Sequence, residues 1–173
     1  MSGSSYDHSC SLQNYRRTNT AKALFLGAND ACLHGAIGSQ HVPQDRYKSN
    51  LRKIITHPAL LPHKPHIIMV TPPPINEYAC EENDANKGIN EPRRLASTTA
   101  EYAQKVRDLA KELKSEGHDI VLLDLWKVFM EQAGWADGQA QLPGSKKLPE
   151  NMFLKLLFHD GVWRIAPLRL ACR

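Results

Sequence analysis

The residues best placed for chemistry sit where an apolar run stops. In "ALFLGANDACLHG", 23–35, four apolar residues pass directly into Gly27-Ala28-Asn29-Asp30. A carboxamide at such a point can aim into a cleft and donate to an oxyanion developing on a bound carbonyl. The same residues can also close the strand as an Asx-turn, with Asp30 capping the next turn. On local chemistry alone the turn is the simpler reading. Two further polar turns follow apolar runs: Thr71-Pro72-Pro73-Pro74 after "HIIMV", and Asp124-Leu125-Trp126 after "DIVLL". His57, His63 and His66 invite a metal reading, but prolines and an adjacent strand separate them. They are read as incidental loop histidines, and no metal or cofactor is expected.

The elements that must carry these turns alternate. Residues 23–26 and 66–70 are short continuous apolar runs that suit strands buried on both faces, and 119–125 is a third strand. A helix fits 44–56, with Asp45 as N-cap and Tyr47, Leu51, Ile54 and Ile55 on one face. A longer helix fits about 94–116, where Leu95, Tyr102, Val106, Leu109 and Leu113 recur at helical spacing and Gly117 ends the run. Residues 126–135 read as a short helix with Trp126, Phe129 and Met130 in the core. Residues 72–92 read as a polar loop in which Glu77, Glu81, Glu82 and Asp84 are solvated. The segment 151–158 is apolar, and its pattern leaves strand and helix open. Alternation of this kind predicts an α/β protein with a parallel sheet and helices on both faces. Ligands of such sheets bind beyond the C-terminal ends of the strands, where the three polar turns fall.

Composition narrows the classes. The 173 residues suit one domain, and 42% hydrophobic with 23% charged residues is ordinary for a globular chain. A net charge of +4 with scattered Lys and Arg gives no basic stripe, so no nucleic-acid partner is expected. The apolar runs are too short to span a membrane. Four cysteines without C-x-x-C spacing, and no apolar leader, predict free thiols and a cytoplasmic setting.

Four segments, "LFLGANDAC", "QHVPQDRYKSNLRKII", "IIMVTPPPINE" and "VLLDLWKVFMEQAGW", occur in this order between residues 23 and 135. Together they resemble the SGNH (GDSL-type) hydrolases, most closely the isoamyl acetate-hydrolysing esterase subfamily. The resemblance implies a flavodoxin-like three-layer α/β/α sandwich and ester hydrolysis by a metal-free Ser-His-Asp triad on short-chain esters. It assigns Asn29 as an oxyanion-hole donor and Asp160, in "FHDGVW", as the triad acid. Gly27, Asp30, His41 and Pro73 would line the cleft, with His41 of "QHVP" as a wall or structural residue rather than a base. "TPPPINE" would wall the acyl pocket; without the resemblance it reads as a rigid polyproline turn.

The sequence also departs from the family pattern. It contains no Gly-Asp-Ser, so the nucleophile is missing, and no glycine before residue 23 matches the second oxyanion donor. Trp163 stands where the base histidine is expected, and an indole N–H only donates. Likeness ends near residue 23 and after Val162. The expectation is therefore a partial hydrolase domain over 23–162, truncated at both ends, between a disordered or atypical segment 1–22 and an atypical tail 163–173. Hydrolysis by the usual route is expected to be negligible. Strand 23–26 would become an exposed apolar edge open to self-association or to another chain, and a non-catalytic binding protein is the alternative.

Overall fold

The computed structural model describes residues 21–159 together with 162 and 163. Three parallel strands form the sheet: β1 (Ala21–Phe25), β2 (His66–Val70) and β3 (Ile120–Leu123), in the order β1-β2-β3. The register sets Leu24 beside Met69 and Met69 beside Leu122, so one face carries Leu24, Ile67, Met69, Ile120 and Leu122. Helices α1 (Gln44–Ile55) and α3 (Ala96–Ser115) cover that face. Their buried residues, including Tyr47, Leu51, Tyr102, Val106, Leu109 and Leu113, join it in one core cluster. Burying each such side chain contributes about 1.5–3 kcal/mol.

Among the described residues β1 is an edge of the sheet and not, as its sequence suggests, buried on both faces. Only Leu24 of the strand is partly covered, and Phe25 is 51% exposed. The reason is positional: β2 occupies one flank, and α1 and α3 cover a single face. The opposite face carries Ala23, Phe25, Ile68, Val121 and Leu123. Val121 and Leu123 are 52% and 48% exposed.

The helices follow their sequence periods with instructive exceptions. α1 has Pro43 at its N-cap, with no side-chain bond there, while Asp45 lies in the first turn. Ile54 lies off the buried stripe and is 43% exposed. α3 ends as expected: Gly117 adopts φ +87°, and the His118 N–H reaches back to Leu113 O. Between β2 and α3 the polar loop is replaced by a buried run, 71–76, leading into α2 (Glu77–Ala85). Asn76 caps α2 by accepting from the Tyr78 N–H, 3.1 Å. Two of the acidic residues there, Asp84 and Glu77, are anchors rather than solvated charges, while Glu81 and Glu82 are exposed as expected. Buried Asp84 pairs with Arg93, and Glu77 accepts from the Ala96 and Lys146 N–H groups, each at 2.8 Å. α4 (Leu125–Gln132) buries Trp126, Phe129 and Met130. The apolar segment near 151–158 resolves as α5 (Met152–Leu157) followed by β4 (Phe158–His159), which pairs antiparallel with β5 (Val162–Trp163).

Candidate active site

Because the three strands are parallel, their C-terminal ends lie together, and the three polar turns extend from that end. The turn after β1 is built on Gly27, which is buried at φ +114°. A side chain is excluded there, since an added Cβ would stand 2.5 Å from the Tyr47 hydroxyl oxygen. That hydroxyl donates to Leu26 O at 2.9 Å. The chain then folds on itself through Ala31 N–H to Gly27 O and Cys32 N–H to Asn29 O, both 3.1 Å. Val42 N–H closes the far end of the loop on Asp30 O at 3.2 Å, and the Tyr102 hydroxyl donates to Val42 O. Gly27, Asn29, Asp30 and His41 are thereby held in one loop. Burial, with Asp30 nearby, pushes the Tyr47 phenol above its ordinary range and the Tyr102 phenol up to about 12.

Asn29 does not use its side chain in an Asx-turn. Its Oδ1 accepts from Arg94 Nη2 at 2.9 Å, across 65 residues of sequence. A guanidinium has only donors, so the atom facing it must be the amide oxygen. The NH₂ end points away from Arg94, and Asn29 is exposed. Arg94 sits on the loop before α3, which is tied to the Asn29 loop a second time by Leu33 N–H to Arg93 O, 2.8 Å.

His41 is half-buried, and its Nδ1 lies 2.7 Å from Cys32 O. A carbonyl accepts only, so this nitrogen carries the proton and Nε2 is the free acceptor of the neutral ring. The His34 ring meets it edge-on at 5.5 Å. Pro73 lies in the buried run after β2, and Asp160 lies outside the described residues.

The second and third turns are joined by a polar cluster that the sequence did not reveal. Asp124 accepts from Arg107 through both oxygens, at 2.7 and 3.1 Å, and from the Thr71 hydroxyl at 3.2 Å. It also caps α4 by accepting from the Lys127 N–H at 3.0 Å. Thr71 Oγ1 accepts in turn from the Trp126 N–H at 2.9 Å. Burial works against the Asp124 charge, yet the bonds from Arg107, Lys127 and Thr71 outweigh it and hold the carboxyl below its usual range. With its oxygens so occupied, Asp124 is a structural tie between β2, β3 and α3 rather than a free acid.

A cavity of about 180 Å³ opens beside Arg94, lined by Cys80, Asp84 and Arg93 among others. Cys80 is buried, and burial pushes its thiol up to about 12. It is therefore a protonated core thiol and not a replacement nucleophile. A cavity of about 430 Å³ lies near the N-terminal ends of β2 and β3, around Ile67, His118 and Asp119, at the opposite end of the sheet from the turns. Among the described residues no His, Cys, Asp and Glu cluster has the makings of a metal site. No described helix is long and apolar enough to cross a membrane.

Comparison with known proteins adds an independent line. The family described as GDSL-like lipase/acylhydrolase matches residues 13–162. A GDSL esterase/lipase of Arabidopsis thaliana is 38% identical over 121 residues, covering 66% of this chain and 48% of that protein. The isoamyl acetate-hydrolyzing esterase 1 homolog of Mus musculus is 34% identical over 114 residues, covering 65% of this chain and 43% of its own length. The human homolog of the same name is 32% identical over 113 residues, with 64% and 43% covered. The chain thus spans about half the length of the relatives it matches.

Proposed function

Because the chain belongs to the GDSL-like lipase/acylhydrolase family, we propose that it carries the acyl-binding side of a carboxylic-ester site, with short-chain esters of the isoamyl acetate type as ligands. Asn29 is the donor to the carbonyl oxygen, and Asp160 occupies the position of the triad acid. One observation carries this reading: the Asn29 amide oxygen is held by Arg94 at the C-terminal end of β1, which leaves the NH₂ group free to donate. Gly27, Asp30 and His41 share that loop, and a small ester needs little more than a polar donor beside an apolar wall. The names of the mouse and human relatives carry the ester class.

The same reading has the 173 residues bind esters without turning them over. No Gly-Asp-Ser is present, Trp163 stands at the base position, and Cys80 is a buried protonated thiol. Removing the serine or histidine of a triad lowers turnover on the order of 10⁶-fold. The remaining donors and binding retain roughly 10³–10⁴ over water at best. Cys32 and Cys80 are free thiols, in keeping with a reducing, cytoplasmic setting.

The test combines p-nitrophenyl acetate hydrolysis with NMR-detected binding of isoamyl acetate. Saturable binding weakened by Asn29→Ala, with hydrolysis at the buffer rate, is the expected result. Turnover that Asn29→Ala abolishes would overturn the impaired reading and require another base. Absence of binding in both proteins would overturn the ester reading.

A second reading, an interaction module, is favoured by the β1 edge, which has no second strand neighbour among the described residues, and by the half-exposed apolar face bearing Phe25, Val121 and Leu123. Unpaired edges and uncovered apolar faces take up other chains, including a second copy.

A further inference from the structure

Asn29 is useful as a donor only if its amide is oriented, and a carboxamide on an exposed turn has two orientations of similar energy. We propose that Arg94 is the positioning residue that makes the Asn29 amide a directed oxyanion donor; this rests on the ester-site reading above. Three observations carry it. The 2.9 Å bond from Arg94 Nη2 goes to Oδ1, the end that must not face an oxyanion. Rotating the amide would place its NH₂ against a guanidinium that can only donate, so the flipped form loses a bond and sets donor against donor. The loop that carries Arg94 is itself held: its neighbour Arg93 pairs with buried Asp84, and Arg93 O receives the Leu33 N–H at 2.8 Å. Loop 91–95 therefore fixes the Asn29 loop by backbone and by side chain together.

Charge adds a second effect. A cation bonded to Oδ1 draws density from the amide and strengthens the N–H groups as donors, as hydrogen bonds in series polarise one another. The guanidinium also adds favourable potential where negative charge would develop. Arg94 touches no reacting atom in this scheme and acts through Asn29. Its Nε is buried without a partner, so its position is set by the surrounding loop and by Asn29 rather than by other bonds from that nitrogen.

The experiment reads the two side-chain amide protons of Asn29 by ¹⁵N NMR, identified by their loss in N29A. In the native chain the pair should be displaced from free-amide values. R94M should move it to those values with the remaining spectrum unchanged, and R94K, which still donates, should restore part of the displacement. Titration with methylphosphonate, a tetrahedral anion, should shift the native pair saturably. Its affinity should fall roughly ten-fold or more in R94M, the scale of one charge-assisted hydrogen bond. An Asn29 pair at the same position in native and R94M proteins would overturn the proposal. A pair that moves in R94M but never responds to methylphosphonate in either protein would leave Arg94 orienting the amide while overturning the oxyanion role. Where R94M does not fold, R94Q and R94K read the same resonances.

Discussion

The Tyr47 hydroxyl occupies the space where a side chain on residue 27 would begin. An added Cβ would lie 2.5 Å from Oη and 3.0 Å from Cζ, on a backbone at φ +114°. Two separate costs follow, a conformation that favours glycine and a collision with a buried ring. Gly27→Ala should therefore lose about 2–4 kcal/mol, read as a shift in the urea midpoint. The two effects can be divided. Tyr47→Phe removes the atom nearest the new Cβ, so the double variant should lose less than the sum of the two singles. Strict additivity would show that the backbone angle alone carries the cost.

Asp124 should set much of the acid sensitivity. Its carboxylate ties Arg107, Thr71 and the start of α4 together, and Arg107 lies over the Trp126 ring at 5.1 Å. Its pKa in the folded chain is depressed. The stabilisation is therefore fully present above the unfolded value of about 3.9 and lost as pH falls below it, through the lower folded value. Asp124→Asn should cost about 2 kcal/mol at neutral pH by leaving a half-buried guanidinium without its partner charge. The difference between the native and variant proteins should shrink below about pH 4. Chemical denaturation at a series of pH values measures both.

How much of this was legible depends on separation along the chain. The period of Tyr102, Val106, Leu109 and Leu113 and the apolar run of β2 specify their own elements, because helix and strand are local. The stop at Gly27 was visible for the same reason. Helix α2 was hidden because its buried residues, Cys80 and Asp84, include a charge, and only Arg93 explains how that charge can be inside. The run 71–76 looked polar and proline-rich, yet it is buried because Thr71 and Asn76 find partners within the fold. Arg94 carried no signal at all. Its partner lies 65 residues away, and one arginine among scattered charges looks like any other.

Alkaline pH should weaken the support beneath the Asn29 loop. Tyr47 bonds Leu26 O and Tyr102 bonds Val42 O, at the two ends of that loop. Both phenols are raised, Tyr102 to about 12. A raised folded pKa means stabilisation fully present below the unfolded value of about 10 and lost as pH climbs beyond it, for Tyr102 toward 12. Tyr102→Phe should cost about 1 kcal/mol at pH 8 from the lost hydrogen bond and flatten the decline between about pH 10 and 12. Thermal melts across that range, compared between the two proteins, check the sign.

The sheet face on which Phe25, Val121 and Leu123 stand about half exposed should govern association. Phe25 is the last residue of β1, and Leu123 the last of β3, on the same side of the sheet and each about half exposed. Lysine at both positions would place charge on that face while leaving the α1–α3 core untouched, so the folding cost should stay within about 1 kcal/mol. Sedimentation velocity over a hundred-fold concentration range should show association in the native chain and a shift to monomer in F25K/L123K. The side chains can be separated from the strand edge, because pairing along β1 uses backbone groups that the lysines leave in place. Association that survives the double substitution would therefore assign the contact to the β1 edge, and a native chain that stays monomeric throughout would remove self-association from the interaction reading.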